Sequence, residues 1–227
     1  MKQQSIQLWL IILGVALLQS CAKEPSFDYP EGYVGRSKVV NFPSVAIKGE
    51  RLIIQNQGVA YTEAGAEAFL QGQPVTYTTT GAVNINVPAV YELTYSASSP
   101  DGFSASDFRT VVIMSTAADV TNNNFAGTYH RELTGLNSVW TKTGRGLYEV
   151  ENPGASAAGV GFVVKLVNYK GTSISIPKQQ TYDPSIDGLN VIKSTSEVYR
   201  ATAVPVTVDW ILLAGGYGNG LRTYTKL

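Results

Sequence analysis

His130 is the sole histidine of this 227-residue chain, and Cys21 is its sole cysteine. A Ser-His-Asp triad or a histidine metal site would have to rest on His130 alone. No Gly-x-Ser-x-Gly turn offers it a nucleophile to serve, and a zinc centre needs three or four converging ligands. His130 is therefore expected to be a structural or surface residue. Glycoside hydrolysis asks for two carboxyl groups about 5 to 9.5 Å apart. Glu149 and Glu151 are two residues apart, so on a strand they share a face, while Asp183, Asp187 and Asp209 are scattered. With 17 acidic residues in the chain such pairs arise by chance, and nothing around these lifts them. Asp101 and Asp107 bracket a loop that lacks the intermediate oxygen ligands of a calcium site, so a hairpin turn is expected there. Gly215 to Gly220 is glycine-rich like a phosphate-cradling loop, but such loops feed a helix and this one feeds the strand-like run Leu221-Arg-Thr-Tyr-Thr225. These residues predict no catalytic residue, no metal ligand and no cofactor.

The aromatic residues are the remaining candidates for ligand contact. Seven Phe, three Trp and 13 Tyr make up 10% of the chain. Tyr and Trp offer a flat apolar face with a polar handle, which suits stacking on sugar rings as well as packing within a sheet. Trp210 lies in an apolar run and is expected in the core. Trp140 has Ser138 and Lys142 as same-face neighbours and is expected at the surface. Tyr217 sits at a turn between glycines and is expected to be exposed. Trp140 and Tyr217 are thus the candidate ligand contacts.

Cys21 carries a different chemistry. Lys2 gives a positive start, Leu8 to Leu18 is an unbroken apolar run, and Leu18-Gln-Ser20 leads into the cysteine. Charged start, apolar stretch and small residue make a secretory signal. At about 1.5 Å per residue the run reaches roughly 16 Å, half of a bilayer's hydrocarbon core, so it is short for a membrane span. Leu18-x-Ser20-Cys21 resembles a bacterial lipobox, which implies cleavage before Cys21 and lipid attachment to it. A buried acyl chain contributes about 0.8 kcal/mol per methylene, and more than one chain is needed for durable anchoring. The lone cysteine then leaves no disulfide, so the exported body must stand on burial and hydrogen bonds.

Seventeen basic and 17 acidic side chains cancel. Nucleic-acid binding usually shows a basic face, and no Lys/Arg cluster is present. Charged residues are 15% of the chain, against roughly 25% in ordinary soluble domains. Beyond the signal no stretch has helical periodicity. Residues 21–37, with two prolines and two glycines, read as a tether. Strand signals with turns between them follow: Arg51–Gln55, Gln73–Thr80, Val90–Ser98 with Tyr91, Leu93, Tyr95 and Ala97 on one face, then Phe108–Ser115. This predicts an antiparallel sandwich.

The string Gly58-Val-Ala-Tyr61-Thr-Glu63-Ala-Gly65-Ala-Glu-Ala68, then Gly81-Ala-Val83, Val87-Pro-Ala-Val-Tyr91-Glu-Leu-Thr-Tyr95-Ser-Ala97, Asp101-Gly-Phe-Ser-Ala105 and Arg109-Thr-Val-Val112 resembles a bacterial immunoglobulin-like domain. That domain occurs in surface proteins, in a pesticidal crystal toxin and as the first domain of Bacteroides-type lipoproteins. Ala89 departs from the glycine usual before the tyrosine. The resemblance spans residues 38–115 and implies a spacer or interaction module. Residues 116–126, with three consecutive asparagines, read as a linker.

Residues 127–227 read as a second domain of short strands: Thr128–Leu133, Ser138–Thr143, Leu147–Val150, Val160–Tyr169, Ser173–Ile176, Asn190–Ser194, Val198–Ala201, Val206–Leu213 and Leu221–Lys226. Val160, Phe162, Val164 and Leu166 share one face; Val206, Val208, Trp210 and Leu212 share another. An all-β antiparallel barrel or sandwich is expected. Gly127-Thr-Tyr-x-Arg131, Gly146-Leu-Tyr-Glu-Val150 and the terminal hairpin resemble the C-terminal domain of gut Bacteroides lipoproteins, which implies no particular activity.

The sequence thus predicts a signal peptide over residues 1–20 and a lipid-anchored, non-enzymatic protein of the outer membrane, on its surface or periplasmic face. Its expected partners are the membrane, through Cys21, and a glycan or an outer-membrane uptake complex, with no nucleic acid. The alternative is a structural or assembly subunit of the envelope or a pilus.

Overall fold

The structure, a computed structural model, describes residues 29–34 and 37–227. Cys21 and the signal sequence lie outside the described residues. The chain falls into two units, Met1–Asn41 and Phe42–Leu227. In the first, β1 (Tyr33–Val34) and β2 (Ser37–Lys38) pair antiparallel.

The second unit opens with β3 (Pro43–Ile47), β4 (Leu52–Asn56), β5 (Ala66–Leu70), β6 (Gln73–Pro74), β7 (Thr78–Thr80), β8 (Ala89–Ser98) and β9 (Ser104–Met114). They form two sheets, ordered β3-β5-β6 and β4-β9-β8-β7. Alternation puts Leu93, Tyr95 and Ala97 inward from β8 as expected. Leu93 and Tyr95 share a cluster with Val45 and Ala66 of the facing sheet and with Tyr77, just before β7. The expected all-antiparallel pairing fails at one place: β4 lies parallel to β9. Two consecutive strands of one hairpin cannot do this, but Leu52–Asn56 and the distant Ser104–Met114 can.

Two charged pairs lie against this sandwich. Arg109 is buried on β9; its Nε donates to Glu50 O at 2.9 Å, its Nη2 to Lys48 O, and its Nη1 meets Glu63. Arg51 forks onto Asp107 and also donates to Phe108 O. Burial by itself would raise the Asp107 pKa. The hydrogen bonds from Arg51 and from the Phe108 and Ile47 backbone outweigh that and hold its carboxyl below the ordinary value.

The second half contains α1 (Ala118–Asn122) and then β10 (Gly127–Arg131), β11 (Leu136–Gly144), β12 (Leu147–Glu151), β13 (Val163–Lys170), β14 (Ser173–Ser175), β15 (Gln179–Asp183), β16 (Gly188–Arg200), β17 (Thr207–Ala214) and β18 (Leu221–Lys226). They make one curled nine-stranded antiparallel sheet, ordered β14-β13-β12-β11-β10-β18-β17-β16-β15. First and last strands of the domain pair in the middle of the sheet, so its two ends are brought round towards each other. The gap is bridged without a regular ladder: Gln179 Nε2 donates to Lys165 O at 2.7 Å, Gln179 Oε1 accepts from Lys165 N at 2.9 Å, and Ser194 N donates to Ile176 O at 2.9 Å. The apolar face expected to start at Val160 begins instead at Phe162, because a 3-10 turn over Ala157–Gly159 leaves Val160 in solvent. The runs expected separately at Asn190–Ser194 and Val198–Ala201 are one strand, β16, with a register shift between Thr195 and Val198.

Residues 116–126 do not hang free. Val120 of α1 is fully buried in one cluster with Val112 and Met114 of β9 and Val167 of β13. Ser115 N donates to Tyr169 O at 2.8 Å, and Thr110 Oγ1 to Lys178 O at 2.7 Å. Arg145 reaches Asn56 at 3.1 Å, Thr121 at 2.9 Å and the Ser115 carbonyl.

Gly146 sits where this seam is tightest. Its φ is +63°, and an added Cβ would lie 2.5 Å from Asn168 O, 2.5 Å from Met114 Cε and 2.7 Å from Val120 Cγ1. Gly58 has φ +81° with nothing within 4 Å. A left-handed non-glycine residue costs of order 1–3 kcal/mol. Gly58→Ala is therefore expected to lose about that much in chemical unfolding. Gly146→Ala should lose more and should speed proteolytic cutting within residues 116–126; equal losses would mean that the seam packing is not tight.

Asp107 gives a pH prediction. Its folded pKa lies below the unfolded value of about 3.9, so its stabilisation is complete above that value and is lost as pH falls through the folded one. The urea midpoint is expected to fall between pH 7 and pH 3 by less in Asp107→Asn than in the wild type.

Candidate functional site

The inside of the curled sheet is aromatic. Trp140 and Trp210 stack with ring centres 5.1 Å apart, Tyr129 lies 4.1 Å from Trp140, and Tyr224 meets Trp210 edge-on at 5.4 Å. Trp210 is in the core, as its apolar strand requires. Trp140 is there too, only 2% exposed, and this corrects the expectation that it is a surface contact. Its polar neighbours serve the interior. Ser138 accepts the Trp140 indole N–H at 3.2 Å while donating to Glu151 O at 3.1 Å. Lys142 runs its stem to the edge and donates from Nζ to Asn123 O at 2.7 Å and Thr121 O at 3.2 Å.

Tyr217 also departs from the expectation of an exposed turn tip. Its ring folds back onto Phe162, centres 5.7 Å apart. The bare α-carbons of Gly154 and Gly159 make the room: a Cβ there would come within 2.6 Å of the ring and 2.9 Å of the hydroxyl. Burial, then the charge of Asp183, pushes the hydroxyl up to about 12. Trp140 is thus a packing residue, Tyr217 is partly buried with its ring against Phe162 and at the edge of a cavity, and the structure does not bring the two together on a surface.

His130 shares a hydrogen bond with Asn137 at 2.9 Å. Glu149 and Glu151 point outward from β12. Asp183 is buried and held by Ser185 and Asn190, and Asp209 pairs with Arg200 at 2.7 Å. Asp101 and Asp107 flank the β8–β9 hairpin. Among the described residues no three His, Cys, Asp or Glu side chains are grouped to hold a metal ion.

Among the concave regions, two combine charged and polar side chains from distant strands. Within the unit Phe42–Leu227, a groove of about 340 Å³ runs between the β3–β9 sheets and the nine-stranded sheet, lined by Glu50, Arg51 and Leu52 on one side and by Glu149, Lys165, Gln179, Gln180 and Thr181 on the other. Its walls are fixed, since Arg51 is held by Asp107 and Gln179 by the Lys165 backbone. Both charges and two amides line it, a set that hydrogen-bonds polar ligands and has no activated nucleophile. Sequence reasoning noted Glu149 but missed the groove, whose two walls are about 100 residues apart in the chain.

The second region, about 350 Å³, is at one end of the curled sheet between Arg131, Ser156, Tyr217 and Arg222. Sequence reasoning missed these arginines as well. The signal was present: Arg131 is two residues from inward-facing Tyr129, and Arg222 two from inward-facing Tyr224, and strand alternation puts each pair on one face.

Residues 45–113, running from β3 into β9, match the family model described as bacterial surface protein, Ig-like domain. This bears out the resemblance read from the sequence, with closely similar boundaries. No curated protein matches the chain. Among solved structures, that of a lipoprotein from Bacteroides thetaiotaomicron is similar at 17% identity, covering 82% of this chain and 100% of that one, with a TM-score of 0.36. Among the described residues no helix is long and apolar enough to cross a membrane. The surface Ig-like match is what one expects of a cell-envelope protein.

Proposed function

We propose that this protein is a non-catalytic cell-envelope module, exported and held at the outer membrane by lipid on Cys21, in which the Ig-like domain is a spacer and the nine-stranded domain the presenting unit. One observation carries this reading: a surface-type Ig-like domain is joined through a buried seam to a second β domain. A spacer that fixes its neighbour's orientation presents one constant face. The lipid-box pattern Leu18-x-Ser20-Cys21 supplies the anchor. The fixed polar groove between the domains is where a glycan would be held, since its carboxylates, cations and amides match sugar hydroxyls.

In cells fed an alkyne fatty acid, the wild type is expected to take up label and to stay in the membrane fraction. Cys21→Ala should lose both; membrane retention through alkaline washing would overturn the anchor. A glycan array offered residues 22–227 tests the groove. Binding at least tenfold weaker in Glu149→Ala and Gln180→Ala is the expected result, and either silence across the array or unchanged binding by the variants would remove glycan from the proposal.

A further inference from the structure

The core of the curled sheet is largely aromatic and aliphatic, and at one end two guanidinium groups follow its inward alternation. Arg131 on β10 follows the inward alternation of Tyr129, and Arg222 on β18 follows that of Tyr224. Arg222 is only 7% exposed. Neither arginine forms an ion pair among the described residues. The hydrogen bonds of these charges go to backbone carbonyls: Arg131 Nη1 donates to Gly154 O at 3.2 Å, Arg222 Nη1 to Gly220 O at 3.0 Å, and Arg222 Nη2 to Tyr217 O, while the Arg222 guanidinium also lies 5.9 Å from the centre of the Tyr217 ring.

A guanidinium has five N–H donors. Arg222 therefore keeps three unused, and its buried Nε has no partner at all. The hydroxyl of Tyr217, whose ring centre lies 5.9 Å from the Arg222 guanidinium, is likewise buried and unpartnered. The acid that acts on that hydroxyl, Asp183, is already engaged by Ser185 N and Oγ and by Asn190 Nδ2. Glu132 is fully exposed and turns to His130. Burying an unpaired charge costs several kcal/mol, and two like charges near one another add repulsion. Burial and the charge of Arg131 hold the Arg222 pKa below the ordinary arginine value, although Tyr224 and Tyr217 oppose this. Carbonyl dipoles offset part of such a cost, yet carbonyls could cap these loops without any charge. No carboxylate is ion-paired with either arginine among the described residues, and a cavity of about 350 Å³ adjoins both.

We infer that this end of the nine-stranded sheet is an oxyanion-binding site, in which Arg131 and Arg222 clamp a carboxylate, sulfate or phosphate group and the Tyr217 hydroxyl donates to it. Guanidinium forks favour such planar or tetrahedral oxyanions over halides because they donate in parallel pairs. The site is separate from the groove between the domains, and it depends on neither the lipid anchor nor any glycan bound there.

The arginine Nε–H resonances of the full chain, labelled with ¹⁵N at arginine and purified in detergent, read the site directly. The probes are sodium sulfate, sodium phosphate and sodium glucuronate, each against sodium chloride at equal ionic strength. At least one oxyanion is expected to move the Arg222 Nε–H signal saturably, with half-saturation in the millimolar range or below, and the responding probe distinguishes an inorganic ion from the carboxylate of an acidic sugar. Arg131→Gln, at the half-buried rim, should weaken that response at least tenfold with an unchanged amide spectrum elsewhere. Should Arg131→Gln disturb the fold, Arg131→Lys, which keeps the charge but loses the fork, is expected to weaken it by a smaller factor. No movement with any of the three, or an equal movement with chloride, would overturn the inference.

Discussion

Val120 is fully buried between Val112 and Met114 of β9 and Val167 of β13, and this small apolar seam sets the relation between the β3–β9 sheets and the nine-stranded sheet. The residues around it are polar: three asparagines, Ser115 and Thr121. Without burial at Val120 the segment 116–126 would have the composition of a loose connection. With it, the short helix Ala118–Asn122 becomes a wedge. Arg145 then stitches the flanks by donating to Thr121, Asn56 and the Ser115 carbonyl. Apolar burial supplies the attraction and the guanidinium supplies direction, because its five donors reach three separate chain segments at once. Gly146 lets Asn168 O, Met114 and Val120 close over it. The groove between the domains exists only because the seam holds its two walls in register.

The second domain is held by a stack of rings. Tyr129, Trp140, Trp210 and Tyr224 touch in series, and each finds a polar handle within the fold. Trp140 donates to Ser138, Trp210 to Tyr224, and Tyr224 onward to Pro153 O at 2.7 Å. An interior filled by large rings fixes the curvature of the sheet. The ends of the sheet meet through side chains of Gln179 and Ser194 where ladder pairing fails. The same interior becomes cationic at one end, where Arg131 and Arg222 replace rings. In a chain of zero net charge this is a local asymmetry with no counterpart in composition.

Much of the fold was legible because strand alternation is a local property. The faces of Leu93-Tyr95-Ala97 and Phe162-Val164-Leu166 followed directly from it. Gln179–Asp183 was not legible as a strand, since Gln-Gln-Thr-Tyr-Asp has the composition of a loop. Gln179 and Asp183 face inward there to satisfy backbone and loop donors. Trp140 was misjudged for a related reason. A neighbouring serine suggests solvent, whereas a buried serine is stable when its hydroxyl both donates and accepts. Tyr217 was misjudged because glycines around a tyrosine suggest an exposed turn, while Gly154 and Gly159, about 60 residues away in the chain, provide the slot that receives it.

The all-β class, the Ig-like stretch and the segment carrying Cys21 are readable from local sequence, because alternation, turn chemistry and the apolar signal run each span about ten neighbouring residues. The burial of Trp140, the folding of the Tyr217 ring onto Phe162, the packed seam at residues 116–126 and the shared pocket of Arg131 and Arg222 came from tertiary packing. Those outcomes depend on which residues far apart in the chain compete for the same buried space. Burial there is settled by the three-dimensional fit of rings, amides and charges, a quantity that no local window of the chain contains.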